Sequence, residues 1–380
     1  MIYTAFIIAT ISCADKKHAI EGIIHLDVSK TYPEKKISLE DIADIKYVQP
    51  EVHDDYLFKP SPINKMHISP SAIVICDYYP PSNFFFFTGE GKPKSRFNRF
   101  GEGPGEYQIV HSILYDEKED KLFVLSDDKI LVYSSDGNHQ YSIDIPKESA
   151  HIKRTIAFFD KESLLTYYES NVYNKNFVRI SKKDASLIEE IDIPNHKEIM
   201  LNHREIISND GNSMRVNVRG APTYNIVKHK NGFILSDHSL DTVFFYGRNN
   251  ELSPILVRTP SIFDMDPYVF INSFIEAGDY LFLNRVTVNI DMLSDYLMIN
   301  KTDYSVHKPK IFFSDYKGKE ISLSPENIQY TVNSGTGFIE LSIEELKDAY
   351  EDNKLSGKLK EMVKSSEDDS NNIYMILTFK

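Results

Sequence analysis

Ile130-Leu131-Val132-Tyr133-Ser134-Ser135-Asp136-Gly137 decides the fold, with Tyr141-Ser142-Ile143-Asp144-Ile145 behind it. A β-branched and aromatic run meets a polar turn and gives way to a second strand-like run. Asp-Gly supplies the positive φ that a tight hairpin needs. Working outward, the pattern recurs. Phe84-Phe85-Phe86-Phe87 precedes Thr88-Gly89-Glu90-Gly91, and Phe177-Val178-Arg179-Ile180 precedes Ser181-Lys182-Lys183-Asp184. Val243-Phe244-Phe245-Tyr246 precedes Gly247-Arg248-Asn249-Asn250, and Tyr296-Leu297-Met298-Ile299 precedes Asn300-Lys301-Thr302-Asp303. The five turns begin at residues 88, 134, 181, 247 and 300, so the gaps are 46, 47, 66 and 53. That is the period of a four-stranded propeller blade with some long loops.

Each copy also has an apolar run upstream, as in Ile73 to Cys76 and Leu122 to Leu125. Strand-like chain remains at both ends, in Ile45 to Val48 and Ile373 to Phe379. The expectation is therefore an all-β fold: a six-bladed β-propeller with four-stranded antiparallel blades. Its last blade is closed by N- and C-terminal strands, which removes exposed sheet edges. Ser342-Ile343-Glu344-Glu345 reads as a capping box followed by Leu346, Ala349 and Tyr350 at helical spacing. A short helical insertion over about 342–364 is expected in that last blade, packed on the propeller.

The chain has 380 residues, 43 basic and 56 acidic, for a formal charge of −13. This balance argues against a nucleic-acid partner, because phosphate binding needs a basic face. Two cysteines, Cys13 and Cys76, exclude a disulfide framework and any zinc site built from several thiolates. Cys76 lies in Ala72-Ile73-Val74-Ile75-Cys76 and reads as a buried small hydrophobe. Ile2 to Ile11 is a mostly apolar run, too short for the roughly 20 residues of a membrane span. It fits the apolar core of a secretory signal. Residues 1–19 are read as signal and tether, and 20–380 as a single soluble propeller domain.

Ser12-Cys13 resembles the lipobox of bacterial lipoproteins, in which the cysteine is acylated. Phe97-Asn98-Arg99-Phe100-Gly101-Glu102-Gly103-Pro104-Gly105-Glu106-Tyr107, with the blade that follows to Gly137, resembles the six-bladed β-propeller lipoproteins of Gram-negative bacteria. These look like relatives of NHL-repeat propellers. The resemblance spans nearly the whole chain, with its sharpest motif in residues 97–137. It implies the fold and a lipid-anchored place in the bacterial cell envelope, at the periplasmic or outer-membrane surface. It carries no activity onto particular residues.

Candidate ligand residues follow from blade geometry. In a propeller, the loop after each second strand and the loop between blades open on one face. Asp77, Asp127, Asp237 and Asn284 close the upstream runs, so they would ring that face. Taken singly, each reads first as bonding its own turn. Asp127-Asp128 and Asp237-His238 are the best exceptions, since two polar groups adjoin. Tyr78 beside Asp77 could stack on a sugar or peptide. Arg99, Glu102 and Glu106 could face a ligand from the Gly-rich connection, which lacks the Gly-Lys-Ser/Thr of a phosphate loop.

No metal site is visible in the spacing of the twelve histidines, and no cofactor is predicted. Calcium or zinc assembled across blades stays open. The reading is a non-enzymatic binding or scaffold propeller. Its partner would be an envelope protein, peptide or glycan on the inter-blade loop face, with the membrane reached only through the lipid anchor. The alternative is a metal- or carboxylate-dependent lyase or hydrolase at the channel mouth.

Overall fold

The computed structural model describes residues 22–380 except 53–55, 57, 59–64, 78–80, 127–128, 146–155, 168–174, 195–203, 208–212, 217–224, 230, 289–292, 324–328, 332–335 and 368–369. Cys13, Tyr78, Asp127 and Asp128 lie outside the described residues.

The recurring turns close hairpins through left-handed residues. Gly91, Gly137 and Asn250 take φ values of 86°, 78° and 64°. The other two turns use residues the sequence did not mark: Ala185 at 54° and Tyr304 at 56°. There the neighbouring aspartates act as acceptors instead. Asp184 Oδ1 accepts from the Ser186 amide at 3.1 Å, and Asp303 Oδ1 from the Ser305 amide at 2.9 Å. The short side chain satisfies the turn, so αL falls one residue later.

Five blades are runs of four consecutive antiparallel strands. Blade 1 is Met66–Ile68, Ala72–Cys76, Phe84–Thr88 and Pro93–Phe97. Blade 2 is Ser112–Asp116, Lys121–Leu125, Lys129–Tyr133 and His139–Asp144. Blade 3 is Ile156–Phe158, Ser163–Tyr167, Phe177–Ser181 and Leu187–Glu190. Blade 4 is Ile226–His229, Gly232–Leu235, Thr242–Gly247 and Leu252–Thr259. Blade 5 is Val269–Ala277, Tyr280–Thr287, Ser294–Asn300 and Val306–Phe312. A composite sheet joins Gln329–Thr331, Thr336–Leu341 and Ile373–Phe379 to Ala43–Val48 from the other end of the chain.

The expectation of a six-bladed propeller with four-stranded antiparallel blades is thereby corrected. Five blades, not six, are continuous four-strand units, and two of those five are widened. Ile24–Asp27 pairs parallel with the outer strand of blade 4, and Glu34–Ser38 parallel with that of blade 5. Glu320–Ile321 adds to blade 5 as well. A separate two-stranded sheet, Arg204–Ile207 with Ser213–Val216, occupies part of the long gap between the third and fourth copies. The physical reason lies in the outer edges. A blade's fourth strand leaves unpaired backbone groups, and the passing N-terminal chain satisfies them. Alternation fixes its register: Ile24 and Leu26 are buried while His25 is exposed.

Apolar clusters fill the gaps between neighbouring sheets. Phe84 and Tyr107 meet Leu122 and Tyr133 between blades 1 and 2. Leu125 meets Ile156 and Ile180 between blades 2 and 3, and Phe177 meets Phe233 and Tyr246 between blades 3 and 4. Leu256 meets Ile271 and Leu283 between blades 4 and 5. Phe282 and Met298 meet Ile339 and Met375 of the composite sheet, whose Tyr374 returns to Phe85 of blade 1. The clusters close the circle.

Helix α1, Leu39–Ile42, leads into the composite sheet. Helices α2, Ile343–Glu351, and α3, Gly357–Ser365, stand between its second and third strands. Ser342 caps α2 by accepting from the Glu345 amide at 3.5 Å. The apolar stripes behave as a packing face: Leu346, Ala349, Leu359 and Val363 are buried in the core shared with blade 5. Cys76 is fully buried, and burial pushes its thiol up to about 12.

Candidate functional site

Antiparallel alternation gives the ring two faces. The turns from strand one to two and from three to four form a hairpin face. The connections from strand two to three, and from blade to blade, form a loop face.

On the loop face of blades 1 and 2, Asp77 Oδ2 accepts from Asn83 Nδ2 at 2.7 Å. Asn83 Oδ1 in turn accepts from Asn98 Nδ2 at 3.0 Å, which ties Asp77 to the Gly-rich connection. That connection folds on itself. The Glu106 carboxylate accepts from the Gly103 amide at 2.8 Å, and a side chain at Gly101 would collide with it. The chain's own carboxylate thus fills the cradle that an oxyanion would need. Glu102 accepts from Gln108 Nε2 at 3.0 Å, and Arg99 Nε donates to the Gly137 carbonyl at 3.0 Å. Beneath them the buried Tyr107 hydroxyl donates to the Ser82 carbonyl at 2.7 Å and accepts from the Arg99 amide at 3.1 Å.

A second network crosses blades 3 and 4. Asp237 is buried after the second strand of blade 4, where Oδ1 accepts from the Ser239 amide at 2.8 Å and hydroxyl at 2.6 Å. Its other oxygen accepts from the Tyr167 hydroxyl of blade 3. His238 Nδ1 stands 3.6 Å from the same carboxylate, and its ring meets Phe270 edge-on at 5.5 Å. Burial pushes the Asp237 carboxyl up, but His238, Ser239 and Tyr167 outweigh it and hold it below the usual range. Asn284 lies in blade 5. The strand runs on past it to Thr287, so Asn284 sits within a sheet and not in a loop. It faces Asn272 across the strands, and both are buried. Asn284 Oδ1 and both polar atoms of Asn272 have no hydrogen-bond partner among the described residues.

The structure therefore gathers Arg99, Glu102, Glu106 and Asp77 on blades 1 and 2, and Asp237 with His238 on blades 3 and 4. It sets Asn284 apart in blade 5. Among the described residues, no group of three or more His, Cys, Asp or Glu side chains comes together as a metal set.

The sequence reading missed a cavity of 520 Å³ at the loop face, in the seam between blade 5 and the composite sheet. Its apolar lining is Ile321, Ile339, Leu341 and Leu346. Its polar lining includes Tyr316, Glu320, Ser322, Glu340 and the pair Lys319–Glu345, 3.1 Å apart. Asn372 Nδ2 donates to Glu340 at 2.7 Å, and Asn372 Oδ1 accepts from the Ile343 amide at 3.1 Å. The helical insertion that walls this cavity was legible. That it approaches residues 316–322 was not.

On the hairpin face, two carboxylates, the half-buried Glu117 and the buried Glu276, latch neighbouring blades. Glu117 of blade 2 meets His67 of blade 1 at 2.8 Å. Glu276 of blade 5 meets His229 of blade 4 at 2.8 Å and Lys301 at 2.5 Å.

A family model described as a domain of unknown function, DUF4934, matches residues 23–378. The chain belongs to the DUF4934 family. No curated protein matches this DUF4934 chain. Among solved structures it is similar to a Bacteroides fragilis protein whose name proposes export, at 16% identity and a TM-score of 0.61, covering 94% of this chain and 100% of that one. It is also similar to a duf4221 family member from Bacteroides vulgatus, at 8% identity and a TM-score of 0.49, covering 90% and 99%. The first likeness supports the propeller fold of the DUF4934 chain.

Proposed function

We propose that this chain is a non-enzymatic binding propeller of the bacterial cell envelope, taking its ligand on the loop face. The observation that carries the reading is the 520 Å³ cavity, lined wholly by loop-face connections and the strand ends beside them. Small-ligand sites have this size, with an apolar floor and a few placed polar groups. The propeller is a rigid base on which such connections can vary without loss of the ring. The apolar run before Cys13 supports export and lipid anchoring, and the name of the Bacteroides fragilis protein supports export alone.

The test is thermal unfolding of the full chain against four panels: neutral saccharides, charged saccharides, acidic peptides and basic peptides. A ligand at 100 times its Kd adds about 2.7 kcal/mol. A shift with one panel, abolished by Ser322→Phe in the cavity wall, is the expected result. No shift with any panel would overturn the binding reading.

A further inference from the structure

We infer that the cavity between blade 5 and α2 is a subsite for an uncharged saccharide. This rests on the binding reading above and names its ligand class.

The charges in the cavity wall answer one another. Glu345 is paired with Lys319 at 3.1 Å, Glu320 with Lys310 at 3.2 Å, and Glu340 accepts from Asn372 at 2.7 Å. Three carboxylates against two lysines, Lys319 and Lys310, leave a net negative wall that repels an anion. Each carboxylate already holds a cation or an amide donor, so the wall makes no strong demand for a cation. What remains is hydrogen-bonding capacity. A carboxylate offers about four acceptor positions, and these pairings leave some of them open. The Ser322 hydroxyl is buried with no partner among the described residues. The Ser342 oxygen accepts from the Glu345 amide at the long distance of 3.5 Å, and its hydroxyl keeps a proton to donate.

Against these stands the apolar floor of Ile321, Ile339, Leu341 and Leu346, beside the Tyr316 ring. A ligand that fits both halves carries several hydroxyl donors on one edge and a C–H surface on the other, with no net charge. A neutral pyranose has that distribution. A charged peptide does not: its ionised group would meet the half-exposed pairs Lys319–Glu345 and Lys310–Glu320, which already answer each other and leave it no unpaired counter-charge.

The experiment is calorimetric titration of the full chain with glucose, N-acetylglucosamine, maltose and cellobiose. Glucosamine and glucuronate serve as cationic and anionic counterparts of the same ring. At least one neutral sugar should bind, and glucuronate should bind tenfold or more weakly than glucose. Ser322→Phe, which fills the cavity, should abolish binding. Glu340→Gln keeps the shape, so it remains informative if the first variant misfolds, and it should weaken binding about tenfold. The inference is overturned if no neutral sugar binds, or if both variants bind like the parent. A peptide that stabilises the parent but not Ser322→Phe, with no sugar response, would refute the saccharide and leave the binding reading standing. Silence from every panel would refute both.

Discussion

Replacing Glu276 by Gln should destabilise the ring at neutral pH, and the loss should shrink in acid. The carboxylate side chain is only 8% exposed, and its partners Lys301 and His229 are 5% and 14% exposed. Burial alone would push Glu276 up. The bonds and charges of His229 and Lys301 outweigh it and bring the carboxyl from 4.5 down to about 2. The difference of about 2.5 pH units, at 1.36 kcal/mol each, corresponds to about 3 kcal/mol. The sign follows from the depressed value. The stabilisation is complete above the unfolded value of 4.5 and is lost as pH falls through 2. At pH 3 linkage leaves roughly half of it. Urea unfolding of parent and variant should therefore differ by about 3 kcal/mol at pH 7 and by about half that at pH 3. Equal stabilities at pH 7, or a gap that does not change with pH, would refute a desolvated triad latching blades 4 and 5.

Three further outcomes are expected. Tyr107→Phe leaves the Ser82 carbonyl and the Arg99 amide without their partner beneath the Gly-rich connection; chemical unfolding should show a cost of about 1–3 kcal/mol. Leu26→Ala hollows the parallel strand on the rim of blade 4, where Leu26 is fully buried; it should cost about 2–5 kcal/mol and speed proteolysis between residues 28 and 38. The Cys76 thiol, buried and pushed up to about 12, should stay unreactive toward a disulfide reagent at pH 8 until denaturant is added.

The propeller was legible because its signal is local. The runs ending in Tyr133 and Tyr246 and the turns at Gly137 and Asn250 lie within a few residues of each other, and each hairpin announces itself. The helices were legible for the same reason, through the Ser342 cap and the stripe behind it. What failed was non-local. Nothing in Ile24-His25-Leu26-Asp27 says that its partner is Leu256 to Thr259 or that the pairing is parallel. The left-handed position is also hidden from sequence where Asp184 and Asp303 accept hydrogen bonds and pass it to Ala185 and Tyr304. Asn284 closes the apolar run Leu281 to Leu283 in the sequence, but the strand continues through Arg285. That arginine pairs with Asp295 at 2.7 Å across the next strand and holds the carbonyls of Val28 and Lys30. The site suffered most. A cavity between residues 316–322 and 339–346 depends on how a connection and a helical insertion meet. No single stretch of either carries that information.

Hydrogen exchange of the full chain, with and without the neutral saccharide that stabilises it most, tests the loop-face claim most directly. The account predicts protection in residues 316–322 and 339–346, with the hairpin-face turns near 229–232 and 276–280 unchanged. Protection centred on those turns, or no protection in either cavity segment, would contradict it.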